Sequence, residues 1–169
     1  FGLRRAARGA LGTLLEHEYR LNLLGLIDVA AEPLARQLGI PEHGDLAFQA
    51  LDFLASRLEN LFLTEGFRVD LIRAILEAWK QSRDIVDARM RLGALTAISK
   101  DEGFEPLTTT FKRVMNIIAG GTPQVVQDHL LCEDAERALY AVYKERERKI
   151  QTLLEDKKYV DALREIASL

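Results

Sequence analysis

Lys112, Arg113 and Asn116 sit inside the otherwise apolar run LTTTFKRVMNII, residues 107–118. An ammonium, a guanidinium and an amide this close together form a set that suits phosphate oxygens and base edges. In a helix each residue turns 100°. Positions 107, 111, 114, 115, 117 and 118 then share one apolar arc, and Thr108, Thr109, Lys112, Arg113 and Asn116 share the opposite one. Lys112 and Asn116 stand one turn apart, flanked by Arg113. That face suits a phosphate or a base, and it equally suits plain water. The apolar arc is expected to pack into the core.

Arg4, Arg5 and Arg8 form a second basic set. Arg4 and Arg8 stack at helical spacing, with Arg5 on the same polar half. Three guanidiniums can grip phosphates or carboxylates; the alternative is a solvated face that pairs with glutamates elsewhere. The sign-alternating segment YKERERKIQ, 143–151, reads as a solvated helix laced with weak ion pairs.

Groups able to do covalent or metal chemistry are few. The histidines are His17, between glutamates in LEHEY, His43 in a polar loop, and His129 after Asp128. None has a second ligand at helical spacing. Cys132 is the single cysteine, so an intrachain disulfide and the usual zinc spacings are excluded. The stretch AGGTPQ lacks the lysine and the flanking strand of a phosphate-cradling loop. A metal-dependent hydrolase fails on ligand count, and no self-contained active centre is expected. The net charge of −3 makes bulk electrostatic attraction to nucleic acid unfavourable, so any RNA contact must be local.

The elements that must position these residues are helical almost throughout. Leu3, Ala7, Ala10, Leu11 and Leu14 mark a first helix, from Leu3 to about His17. A second segment, Leu21 to Leu38, contains Pro33, which should kink or split it. GIPEHGD, 39–45, is a loop in which Asp45 can cap the next helix. That helix carries Phe48, Leu51, Leu54, Leu58, Leu61 and Phe62 and stops near Gly66. Leu71, Ile72, Ile75, Leu76 and Trp79 mark a fourth. KQSRD, 80–84, breaks the pattern, with Ser82 as the expected cap of a fifth helix through Ala97. The sixth helix is the opening run, after the turn KDEGFEP, and it should stop at Gly120-Gly121. TPQVVQDHLLCED is a short helix or irregular loop. A long helix, Glu133 to Leu154, and a final one from Tyr159 complete an all-α bundle of about eight helices. No apolar run is long enough for a membrane helix. The best boundary candidate is 80–84, and both ends read as cut from something longer.

Five landmarks, in order, carry a resemblance. FGLRRAARGALGTLLE resembles FALRRAALGVLRILLE of the beta subunit of the bacterial tetrameric glycyl-tRNA synthetase. FLASRLENLFLTEGFRVDLIRAIL resembles that family's helix, Glu-Gly-Tyr-like turn and following apolar helix. DARMRLGAL fits next, TTTFKRVMNII is similar to AAANKRVSNIL, and KKYVDALREIASL to GRYQDALVELAEL. Together they cover nearly the whole chain.

The resemblance implies a C-terminal fragment of that subunit. Residues 1–81 would end a helical region derived from a His-Asp phosphohydrolase (HD) fold. Residues 82–169 would form a DALR-type anticodon-binding domain lacking its last helices, including the family's IDAFFD helix. It implies a tRNA-binding part of a cytoplasmic glycine–tRNA ligase, with no active centre or cofactor here. ATP and Mg²⁺ would belong to the alpha subunit, in a parent tetramer of two alpha and two beta subunits. Implied partners are tRNA(Gly), the alpha subunit and the remainder of the beta subunit. Lys112, Arg113 and Asn116 match the family motif, and Arg89, Arg91, Arg4, Arg5 and Arg8 are further tRNA-binding candidates. Phe111 stands where the family has Asn. The competing reading is a non-catalytic helical interaction module without RNA binding.

Overall fold

The computed structural model describes residues 2–39, 44–118 and 126–168. These form α1 (Gly2–Glu16), α2 (Leu23–Leu38), α3 (Gly44–Thr64), α4 (Val69–Ser82), α5 (Ile85–Ile98), α6 (Phe104–Ile118), α7 (Asp134–Glu155) and α8 (Tyr159–Ala167), with a 3-10 turn at Asp128–Leu130. No strand occurs among the described residues, and none of their helices is long and apolar enough to cross a membrane. His43, the Asp45 side chain, the Gly120-Gly121 stop and all of AGGTPQ lie outside the described residues.

The chain divides into two compact units, residues 1–96 and 97–169. In the first, Leu11 and Leu15 of α1, Leu51, Leu58 and Phe62 of α3, Ile72 and Trp79 of α4, and Ile85 and Leu92 of α5 share one core. The buried stripe of α1 is Ala7, Leu11 and Leu15, spaced by four as one helix face requires. Leu3 and Ala10, expected on that stripe, are exposed. Phe48 is likewise exposed, because Ala47, one position earlier, takes the core-facing place in line with Leu51, Leu58 and Phe62.

Pro33 neither splits α2 nor ends it; the helix runs unbroken to Leu38. Proline frees the carbonyl of residue i−4, here Val29. Val29 and Pro33 both lie on the exposed face, so water can satisfy that carbonyl. The turn after α3 ends as predicted. Gly66 adopts φ +89, its N–H donates to the Leu63 carbonyl, and Phe67 N–H donates to the Phe62 carbonyl at 3.2 Å. This 6→1 and 5→2 pair is a Schellman stop. The Phe62 and Phe67 rings meet edge to face across it, centroids 6.1 Å apart.

The cap of α5 is Asp84, not Ser82. α4 continues through Ser82 and closes at Arg83, which is left-handed with φ 56. Asp84 Oδ1 then accepts the Asp87 N–H at 2.9 Å, satisfying a first-turn donor that Ser82 would be too far back to reach.

In the second unit α7 and α8 form the main packed pair. α7 starts with a capping box between Glu133 and Glu136. Glu165 of α8 receives Arg146 Nη1 at 3.0 Å and Lys149 Nζ at 2.6 Å from α7, so two cations of YKERERKIQ clamp a neighbouring helix. The hydrogen bond from Lys149 holds the Glu165 carboxyl below its usual range, outweighing burial. A depressed carboxylate contributes stability above its unfolded value, near 4.5, and loses it as pH falls through the folded value. Acidification below about 4.5 should therefore loosen α7 from α8. Amide hydrogen exchange at Tyr159–Ala167 checks this: protection falls with acid in the native chain and changes less in Glu165→Gln.

The apolar arc of α6 does not pack into a core. None of its residues is buried, and Ile117 is 81% exposed. Two open clefts separate α6 from the α7–α8 pair. One, of about 590 Å³, is lined by Phe111, Tyr143, Ile150 and Leu154. The other, of about 360 Å³, is lined by Leu107, Phe111, Val114 and Ile166.

Candidate nucleic-acid interface

α6 positions the basic trio as the helical wheel requires. Thr108 and Thr109 each donate to the Glu105 carbonyl, at 2.9 and 3.0 Å, and Thr110 donates to the Pro106 carbonyl at 3.0 Å. These hydroxyls are satisfied within the helix. Lys112, Arg113 and Asn116 are exposed and make no hydrogen bond or ion pair with any described residue. Lys112 and Asn116 are about 6 Å apart along the axis. The face is thus an exposed, donor-rich strip that no described carboxylate neutralises. Phe111 points away from it, into the clefts toward α7 and α8.

The other arginine candidates divide. Arg89 Nε pairs with Glu65 at 3.3 Å. Arg91 Nε donates to Asp87 Oδ2 at 2.6 Å. Arg4, Arg5 and Arg8 are exposed on α1 and pair with no described carboxylate. Arg4, Arg5, Arg8, Arg89 and Arg91 lie in the first unit, and Lys112, Arg113 and Asn116 in the second. Among the described residues the α6 trio and the α1 arginines have no ion-pair partner, whereas Arg89 and Arg91 pair with Glu65 and Asp87.

Arg91 belongs to a cluster that sequence reading missed. Asp87 is buried. Its Oδ1 accepts from Arg20 Nη2 at 2.9 Å, and Arg20 Nε donates to Asp84 Oδ2 at 3.1 Å. Burial opposes the Arg20 charge, but hydrogen bonds and the charges of Asp84 and Asp87 outweigh it and raise its pKa. The Leu23 N–H donates to the Arg83 carbonyl at 3.0 Å beside it, so the start of α2 is tied to the α4–α5 corner. The sequence signals were the acidic pair Asp84 and Asp87 at cap spacing and the i,i+4 spacing of Asp87 and Arg91; Arg20, far away in sequence, gave none. Asp87→Ala should destabilise this unit by about 1–3 kcal/mol, since Arg91 loses its pairing with Asp87 and Arg20 keeps only Asp84, while both guanidiniums remain partly exposed. Urea denaturation checks this.

His17 stacks on Tyr19 with centroids 5.5 Å apart. His129 and Cys132 are exposed. Among the described residues no group of three His, Cys, Asp or Glu side chains converges as metal ligands.

The described residues form an all-helical module with two exposed sets of cationic side chains, one on α1 and one on α6. Comparison with known proteins gives the relationship. Residues 1–77 match the family described as glycyl-tRNA synthetase beta subunit. The whole chain is 34% identical to the glycine–tRNA ligase beta subunit of Syntrophotalea carbinolica, covering 24% of that protein. It is 34% identical to that of Geobacter sulfurreducens and 37% identical to that of Anaeromyxobacter dehalogenans, at the same 24% share. The chain thus spans about a quarter of the length of the curated relatives it matches, and it is related to glycine–tRNA ligase beta subunits from end to end.

Proposed function

We propose that this chain is the tRNA-binding part of a glycine–tRNA ligase beta subunit, supporting the ATP-dependent attachment of glycine to tRNA(Gly). The observation that carries it is the exposed α6 strip of Lys112, Arg113 and Asn116, which no described carboxylate neutralises, in a chain related throughout to such subunits. Phosphates would meet Lys112 and Arg113, and Asn116 would meet a base edge or a phosphate. In this reading residues 1–81 end an HD-derived helical region and 82–169 belong to a DALR-type anticodon-binding domain. Activation of glycine, with ATP and Mg²⁺, falls to the alpha subunit of a cytoplasmic tetramer of two alpha and two beta subunits. Titrating tRNA(Gly) at two salt concentrations tests it; binding by the assembled ligase that ignores salt and the α6 strip would sink it.

One observation favours the competing reading of an interaction module: the uncovered apolar arc of α6. The two readings use opposite faces of the same helix. Substitutions at Lys112 and Arg113 bear on the first, and Ile117→Asp bears on the second.

A further inference from the structure

Arg4 and Arg8 of α1 and Arg57 of α3 line one cleft of about 480 Å³ in the first unit, with Asn60, Leu61 and Leu63. Among the described residues that line it there is no carboxylate. None of the three arginines forms an ion pair with a described residue, and neither do Arg5 and Arg83, whereas Arg20, Arg36, Arg68, Arg73, Arg89 and Arg91 of the same unit do. Arg57 is held in place: its Cζ lies 4.0 Å from the Phe53 ring centroid, one turn back on α3. Asn60 spends one amide hydrogen on the Ser56 carbonyl at 2.7 Å, which leaves its other hydrogen and its carbonyl oxygen for a ligand. Leu61 and Leu63 supply an apolar wall.

Three cations with no described carboxylate partner face one concavity, a charge that a multiply charged anion would offset. Arg4 and Arg8 are about 6 Å apart along α1, a spacing that engages more than one charge of an extended polyanion. Guanidiniums match phosphate bidentately, and an apolar wall beside them fits a ribose or base face better than the glutamates of an acidic peptide. We propose that this cleft binds the phosphate backbone of an RNA strand through Arg4, Arg8 and Arg57, as a contact separate from the α6 strip. It rests on the reading of the chain as tRNA-binding, but on other residues in the other compact unit. It also selects among the α1 arginines, since Arg5 does not line the cleft.

The test titrates tRNA(Gly), and separately a polyglutamate peptide, against the full chain at two salt concentrations. The variants are Arg4→Ala with Arg8→Ala, Arg57→Ala, Arg57→Lys, Arg5→Ala, and Lys112→Ala with Arg113→Ala; circular dichroism confirms that each folds. The proposal expects the Arg4/Arg8 pair to weaken tRNA binding by about tenfold or more, with a shallower salt dependence. Arg57→Ala should weaken it by a similar factor, Arg57→Lys less, and Arg5→Ala little. Unchanged tRNA binding in the Arg4/Arg8 and Arg57→Ala variants overturns it. So does an equal loss in Arg5→Ala, a loss confined to polyglutamate, or no tRNA binding by the wild-type chain. A loss in the cleft variants alone leaves the cleft standing and removes the α6 strip; a loss in the Lys112/Arg113 variant alone does the reverse.

Discussion

Phe62→Ala should cost the first unit about 3–5 kcal/mol, read as a fall in the urea midpoint with little change in slope. Phe62 has no solvent exposure and lies in the cluster with Leu11, Leu58, Ile72 and Leu92. It also stands at the end of α3, where its carbonyl accepts the Phe67 N–H and its ring meets that of Phe67. Truncation removes an aromatic side chain from a site enclosed by several helices and strips the hydrophobic contact from the Schellman stop. A domain of this size has roughly 5–15 kcal/mol in total, so the variant loses a large share. Phe48→Ala is the internal control. It makes the same chemical change on the same helix, but at a position 55% exposed, and should stay within about 0.5 kcal/mol of wild type. Equal effects at 48 and 62 would contradict the register of α3.

Lys112→Ala with Arg113→Ala should weaken tRNA(Gly) binding by about tenfold or more at low salt. Each cation that engages a phosphate of single-stranded RNA adds about 0.7 to the slope of log affinity against log salt. The double variant should therefore lower that slope by about 1.4. Stability should hardly move, because neither side chain has a described partner and both are exposed. Asn116→Ala should leave the slope unchanged, since an amide releases no counterion, and reduce affinity only. Fluorescence anisotropy at several salt concentrations separates these outcomes. A slope unaffected by the double substitution would mean that the α6 strip faces water only.

Periodicity made the helices legible. Strong local signals such as Gly66, and the apolar spacing of Leu71, Ile72 and Trp79, fixed α3 and α4 because turn chemistry and burial agree there. Cap identity was less legible: Ser82 and Asp84 both suit a cap, and only the backbone reversal at Arg83 decides between them. Pro33 does not split α2, because the cost of a proline depends on whether the freed carbonyl faces water, which is a tertiary property. The wheel of α6 gave the faces correctly but not their burial, since periodicity tells which side is apolar and says nothing of whether a partner covers it. The same limit applies to the binding surfaces. Lys112, Arg113 and Asn116 could be placed on one face from spacing alone. The cleft of Arg4, Arg8 and Arg57 joins two helices, and Arg91 is tied to the long-range Arg20–Asp87 cluster. Neither fact has a local sequence signature.

Site-specific cross-linking asks directly whether the polar face of α6 meets tRNA. In a Cys132→Ser background, a photoreactive probe is attached at Asn116→Cys or, as control, at Leu139→Cys, a position 72% exposed on α7 of the same unit. Each is irradiated in the assembled ligase with labelled tRNA(Gly). Cross-linked tRNA from position 116, lost when unlabelled tRNA(Gly) competes and weak or absent from position 139, is the predicted result. Bound tRNA that yields no cross-link from position 116 would contradict it.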